Sequence, residues 1–173
     1  MNTKKIISIS INLILVGFIG KTLWTRYEVS QSQKPLLDKS VSVQGLIDTQ
    51  GQAVELDDKP KAVIFWATWC QPCTAELARI RSAIEDGELK AESILAIAVW
   101  DNLDDVAKVV KDRSYNFPVM IDSKNSASAK FKVSATPTTA FLASNRVIKE
   151  ISTGLSLMPA TAINGFLASE EAL

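Results

Sequence analysis

The chain has 173 residues, 47% of them apolar, enough for one well-filled core once the first few dozen residues are set aside. Nineteen Lys and Arg balance nineteen Asp and Glu, so no field of one sign draws it to nucleic acid or to an anionic surface. Histidine is absent and only two cysteines occur, which excludes both a disulfide-rich scaffold and a four-ligand zinc site of cysteine and histidine.

Lys4 and Lys5 precede an uncharged run from Ile6 to Gly20, and Lys21, Trp24, Arg26 and Tyr27 follow it. A basic flank ahead of an oily stretch is the pattern of an N-terminal membrane signal rather than of a buried core helix. The run is short against the roughly 20 residues that span a bilayer, but Lys21 could snorkel and let Leu23 and Trp24 extend it. A cleaved signal peptide competes, since its apolar region reaches about 15 residues. Phe18 and Gly20 make a poor cleavage site with Lys21 behind them, and no cysteine offers a lipid attachment point, so a retained anchor over residues 1–27 is favoured. Either reading exports everything after Tyr27. Residues 28–40, rich in Ser, Gln and Lys, read as a polar linker, and 41–173 as the folded domain.

From Val41 to Leu56 two short extended pieces surround Asp48-Thr49-Gln50-Gly51, which has the turn chemistry of a hairpin. Ala62–Trp66 and Ser93–Val99 are compact apolar runs of the kind that form strands covered on both faces. Between them Leu77, Ile80 and Ile84 recur at helical spacing and Gly87 supplies a left-handed stop, so strand, helix and strand imply parallel pairing. A second helix is expected over Leu103–Arg113, with Asp104 and Asp105 in its first turn, Lys108, Lys111 and Arg113 late, and Asp101 or Asn102 as its cap. Phe117–Ile121 reads as a short strand and Ser126–Phe131 as a helical stretch. Thr138–Leu142 and Val147–Ile151 are strands joined by Ala143-Ser144-Asn145-Arg146, and a final helix starts near Pro159 with Ile163, Phe166 and Leu167 buried.

The chemistry lies at Trp69-Cys70-Gln71-Pro72-Cys73. Two cysteines at a strand-to-helix junction put one sulfur at the helix start and the other one turn inside. Unpaired amides and the helix dipole stabilise a thiolate at Cys70, whereas Cys73 is expected to be more buried and less ionised. Cys70 therefore attacks a partner's disulfide and Cys73 resolves the mixed disulfide that results. Pro72 sits where it costs no helical hydrogen bond. An inert disulfide is the bland alternative, but a ring this small closes too little chain to stabilise much. Glu76, three residues beyond Cys73 on the helix, brings a carboxylate near the same face. It could relay protons to Cys73, or merely suit the helix dipole.

The segment AVIFWATWCQPCTAEL at 62–77 and the segment FKVSATPTTAFL at 131–142, followed by a hairpin ending near Gly154, resemble the TlpA/ResA group of anchored thioredoxin-like proteins. The likeness covers roughly Val41 to Leu167. It implies an α/β thioredoxin fold, a central mixed sheet flanked by helices with an added N-terminal β-hairpin, preceded by one transmembrane or signal segment. It further implies a cis Pro137, with Thr136 beside the Cys70 sulfur offering backbone groups to a client. Glu76 matches the family's acidic position, Trp69 a contact aromatic and Trp66 a packing one. Two departures stand out: thioredoxin carries a buried acid where this chain has Ile64, and many relatives have a proline where it has Ala78, which implies a less kinked helix.

The resulting expectation is a protein-disulfide reductase, needing no cofactor or metal, kept reduced by a membrane electron donor of thiol type. It acts as a monomer on exported clients, among them the haem-binding cysteines of apocytochrome c. Its domain lies on the extracytoplasmic face, membrane-anchored or secreted after cleavage. A disulfide-donating oxidase uses the same residues. A thiol peroxidase shares the fold, but its separate peroxidatic cysteine is missing, and a metal-delivery module lacks histidine.

Overall fold

The computed structural model describes residues 3–172, with side chains from residue 15 onward apart from those of residues 23 and 26. Seven strands form one sheet in the order β2-β1-β5-β4-β3-β6-β7: β1 Leu46–Ile47, β2 Ala53–Val54, β3 Lys61–Trp66, β4 Ile94–Ala98, β5 Val119–Asp122, β6 Thr138–Ala143 and β7 Val147–Thr153. Five helices accompany them: α1 Thr3–Gln33, α2 Gln71–Glu85, α3 Leu103–Asp112, α4 Ser126–Lys130 and α5 Pro159–Glu171.

β3, β4 and β5 run parallel, and β6 pairs antiparallel with β3 and with β7, so the sheet is mixed. Every residue of β3, β4 and β6 is buried, as continuous Val, Ile and Ala runs require when helices cover both faces. Alternation along β3 divides the core. Ala62, Ile64 and Trp66 face Leu77 and Ile80 of α2, Val106 of α3 and Ile163 of α5, while Val63 and Phe65 face Ala127 of α4 and Phe131. Phe131 is fully buried with its ring 5.0 Å from that of Phe65. Phe131→Ala should cost about 3–5 kcal/mol in urea unfolding. A loss below 1 kcal/mol would show that the second core layer does not depend on this ring.

Local signals explain the element ends. Gly87, at φ +74°, ends α2 with amides of residues 87–89 returning to the carbonyls of Ile84 and Ala83. α2 runs unbroken past Ala78. Asn102, not Asp101, caps α3, its carbonyl oxygen accepting from the Asp105 amide at 3.0 Å. The Asp48 carboxylate accepts from the Gln50 and Gln52 amides and closes the turn between β1 and β2, whose strands pair antiparallel. Buried Asp122 holds the start of α4 through the amides of Ala127 and Ser128 and the Ser128 hydroxyl.

The N-terminal expectations fare differently. The anchor reading over residues 1–27 falls partly on residues 1 and 2 and on side chains outside the described residues. Among the described residues no helix is long and apolar enough to cross a membrane. Where residues 28–40 read as a polar linker, α1 continues to Gln33, a single 3-10 turn follows at Lys34–Leu36, and residues 38–41 run beside β7 through backbone bonds to Ile148 and Arg146. Leu36 and Leu37 pack against the second core layer. The exposed edge of β7 offers unpaired backbone groups that a neighbouring segment can satisfy.

Candidate active site

β3 ends at Trp66, and the chain turns through residues 67–69 into α2. Cys70 is the N-cap of α2: it is extended (φ −86°, ψ 100°), and its Sγ accepts from the Cys73 amide at 3.3 Å. Cys70 and Cys73 are joined as a disulfide. Cys70 is 5% exposed and Cys73 fully buried, in the order the spacing implies. The amide aimed at Cys70 Sγ, together with the positive end of the helix, is what favours a thiolate there once the bond is reduced.

At the same end of the sheet lies the Thr136–Pro137 bond, which is cis. β6 begins one residue later, and Thr138 pairs with Phe65 of β3 on one side and Thr153 of β7 on the other. The Gly154 amide donates to the Pro137 carbonyl at 2.8 Å, and the hydroxyls of Thr138 and Thr153 lie 3.0 Å apart. The antiparallel register thus brings the Pro137 loop to the end of the sheet where β3 delivers Cys70. Pro137 is buried, Thr136 half-buried, and Trp69 stands 64% exposed beside the cysteines in sequence. Trp66 is fully buried, with its ring edge-on to Tyr115.

Glu76 is the second centre of charge. It is only 1% exposed, yet its carboxylate accepts from the Ser156 amide at 3.0 Å and the Thr139 hydroxyl at 3.4 Å. Burial pushes its pKa above the ordinary glutamate value, and those two hydrogen bonds and the Arg79 charge only partly oppose the rise. Glu76 borders a cavity of about 210 Å³ with Ile64, Thr139, Gly154, Ser156 and Ile163. Ile64 is paired with Thr139 across β3 and β6. The carboxyl that the strand lacks at Ile64 is therefore placed in the same space from the helix.

Sequence reasoning missed Thr139 and Ser156 as partners of Glu76, although Thr139 stands two residues past Pro137 on a strand whose side chains alternate. It left the cap of α3 open between Asp101 and Asn102 and did not foresee the role Asp101 has. The Asp101 carboxylate accepts from the Thr68 amide at 2.6 Å and the Thr68 hydroxyl at 3.0 Å, pinning the segment that carries Trp69 and Cys70. Asp101→Ala should destabilise the oxidised protein by about 1.5–3 kcal/mol in urea unfolding, the range for hydrogen bonds to a charged group. A change under about 0.5 kcal/mol, the ordinary scatter of surface substitutions, would remove this clamp from the account. Among the described residues no group of three or more His, Cys, Asp or Glu is placed to hold a metal ion.

A helix-capping dithiol at the same sheet end as a cis-proline loop on a thioredoxin-like α/β sheet defines a thiol-disulfide oxidoreductase. The family model described as "AhpC/TSA family" matches residues 36–151. ResA, a thiol-disulfide oxidoreductase of Bacillus cereus, is 32% identical over 143 residues, covering 80% of this chain and 82% of its own. ResA of Bacillus subtilis is 28% identical over 147 residues, covering 82% and 80%. Among solved structures, StoA from Bacillus subtilis superposes with a TM-score of 0.57 at 19% identity, over 77% of this chain and 99% of its own. The chain belongs to the AhpC/TSA family and, within that likeness, to the ResA group of thiol-disulfide oxidoreductases.

Proposed function

We propose that the protein reduces disulfides in exported client proteins, with Cys70 as nucleophile and Cys73 as resolving thiol. The observation that carries this reading is the placing of Cys70 Sγ at the start of α2, in contact with the Cys73 amide, at the end of the sheet that holds Pro137. The Cys70 thiolate attacks a client disulfide, forms a mixed disulfide and releases one client thiolate, which takes a proton from water. Glu76 then accepts the Cys73 proton. The Cys73 thiolate attacks Cys70 Sγ, closes the internal disulfide and releases the second client sulfur. Two electrons pass to the client, and a donor dithiol must return them.

Glu76 suits its part because burial brings its proton affinity closer to that of a thiol than an exposed carboxylate's would be. Trp69, Thr136 and Pro137 form the contact surface, with the Thr136 backbone pairing with the client segment. Residues 41–173 are the catalytic unit and act as a monomer. The basic-then-apolar N-terminus supports export, with residues 1–27 held in the membrane near a thiol donor. Apocytochrome c, with paired haem-binding cysteines, is a client of suitable chemistry.

The same residues would serve an oxidase, and the reduction potential of the Cys70–Cys73 couple separates the two. A value near or below about −250 mV fits the reductase, and one near about −120 mV, at the oxidising end for such dithiols, contradicts it.

A further inference from the structure

We infer that the active-site end of the sheet faces the bilayer, because the N-terminal helix enters the domain at that end and is fastened there. This rests on the proposed reading that the N-terminal segment is held in a membrane. The route of the chain carries the inference. Val29, Ser30 and Gln33 of α1 border a cavity of about 200 Å³ with Ile151, Ser152 and Thr153 of β7. Further on, the Asp38 amide donates to the Ile148 carbonyl at 2.7 Å, and the Val41 amide to that of Arg146 at 3.0 Å. As the chain advances from 29 to 41, its neighbours run back from 153 at the end of β7 to 146 just before its start. α1 therefore arrives at the Thr153 end, the end where Thr153 pairs with Thr138 and Gly154 bonds to Pro137.

The junction is tied rather than hinged. Gln33 is 3% exposed and its side-chain amide donates to the Lys132 carbonyl at 3.4 Å, while Lys132 Nζ donates to the Ser32 carbonyl at 2.7 Å. Lys132 belongs to the segment that leads from α4 to Pro137. Upstream, Leu15, Val16, Phe18 and Ile19 are each over half exposed and point to several sides of α1, a helix surface suited to lipid and not to water. Lys21, Trp24 and Tyr27 follow, the residue types that settle at a headgroup boundary. Ile19 to Val29 spans only about 15 Å of unbroken helix, leaving no slack to turn the domain over.

The face so presented carries exposed apolar side chains at Trp69, next to Cys70, and at Leu155, next to the Gly154 that bonds to Pro137. It fits a dithiol protein seated in the same bilayer, which would give two electrons and two protons to the Cys70–Cys73 disulfide and be left as a disulfide itself.

The test uses the full chain in phosphatidylcholine–phosphatidylglycerol vesicles carrying a headgroup nitroxide lipid, with Cys70 and Cys73 left oxidised so that a maleimide fluorophore reaches only a new thiol. One label sits at Leu155→Cys, beside the Gly154 that bonds to Pro137. The other sits at Lys59→Cys, just before β3 and so about 20 Å from the active-site end. The expected result is that the label at 155 is quenched several-fold more strongly than the label at 59. Equal quenching, or stronger quenching at 59, in a chain that floats with the vesicles overturns the orientation alone. A chain that does not float with them overturns both the orientation and the membrane reading beneath it.

Discussion

Replacing Cys73 with serine will turn the protein into a trap. Cys70 still attacks a client disulfide, but no internal thiol is left to release the product, so mixed disulfides accumulate and turnover falls by about a hundredfold or more. The asymmetry follows from the helix start. Cys70 caps α2 and receives the Cys73 amide, whereas Cys73 lies a turn inside and is wholly buried. Cys70→Ser should trap nothing, because the remaining thiol cannot reach a client. Non-reducing gels of extracts expressing each variant, with mass spectrometry of captured proteins, read the result. Equal capture by both variants would refute the division of labour.

Glu76→Gln should make the protein more stable and less active at once. Burial raises the folded-state pKa of Glu76, so the native state holds that proton more tightly than the unfolded chain does. The stability this gives is complete below the ordinary glutamate pKa and is lost as pH rises through the folded value. Glutamine has no charge to bury and keeps both partners, Ser156 and Thr139, within reach. At neutral pH the variant should therefore gain about 1.4 kcal/mol for each pKa unit of elevation, or about 2–4 °C in Tm per kcal/mol. Near pH 4 the gain should vanish. The reduction rate at pH 7 should fall about a hundredfold, the usual worth of a positioned proton acceptor. Loss of stability at neutral pH would mean that the two hydrogen bonds to the carboxylate outweigh its burial.

These opposite signs show which parts of the molecule could be read from the chain. β3 and β4 were legible because Val, Ile and Ala in continuous runs have no stable place but a sheet covered on both faces. The helix after the cysteines was legible from Leu77, Ile80 and the stop at Gly87. What escaped depends on partners distant in sequence. Gln33 finds Lys132, Asp38 finds Lys149 at 2.9 Å, and residues 38–41 lie beside β7, yet by composition all belonged to a linker. Asp101 and Asn102 were equal candidates for the cap of α3, because a cap was needed and both residue types can supply one. Asn102 takes that place, and the Asp101 carboxylate turns instead to Thr68. The acid absent at Ile64 left Glu76 or water as substitutes in the sequence, and Glu76 lines the same cavity as Ile64 and its strand partner Thr139. Periodicity places a residue on a face, but only tertiary pairing says what it meets there.

The pH dependence of Cys70 alkylation in the reduced protein, followed by mass spectrometry of the labelled peptide, tests the central claim most directly. The account predicts that Cys70 is labelled first and titrates well below the roughly 8.5 of a free thiol, with Cys73 reacting only at higher pH. A Cys70 that titrates as an ordinary thiol, or a Cys73 that is labelled ahead of it, would contradict the claim that the start of α2 makes the nucleophile.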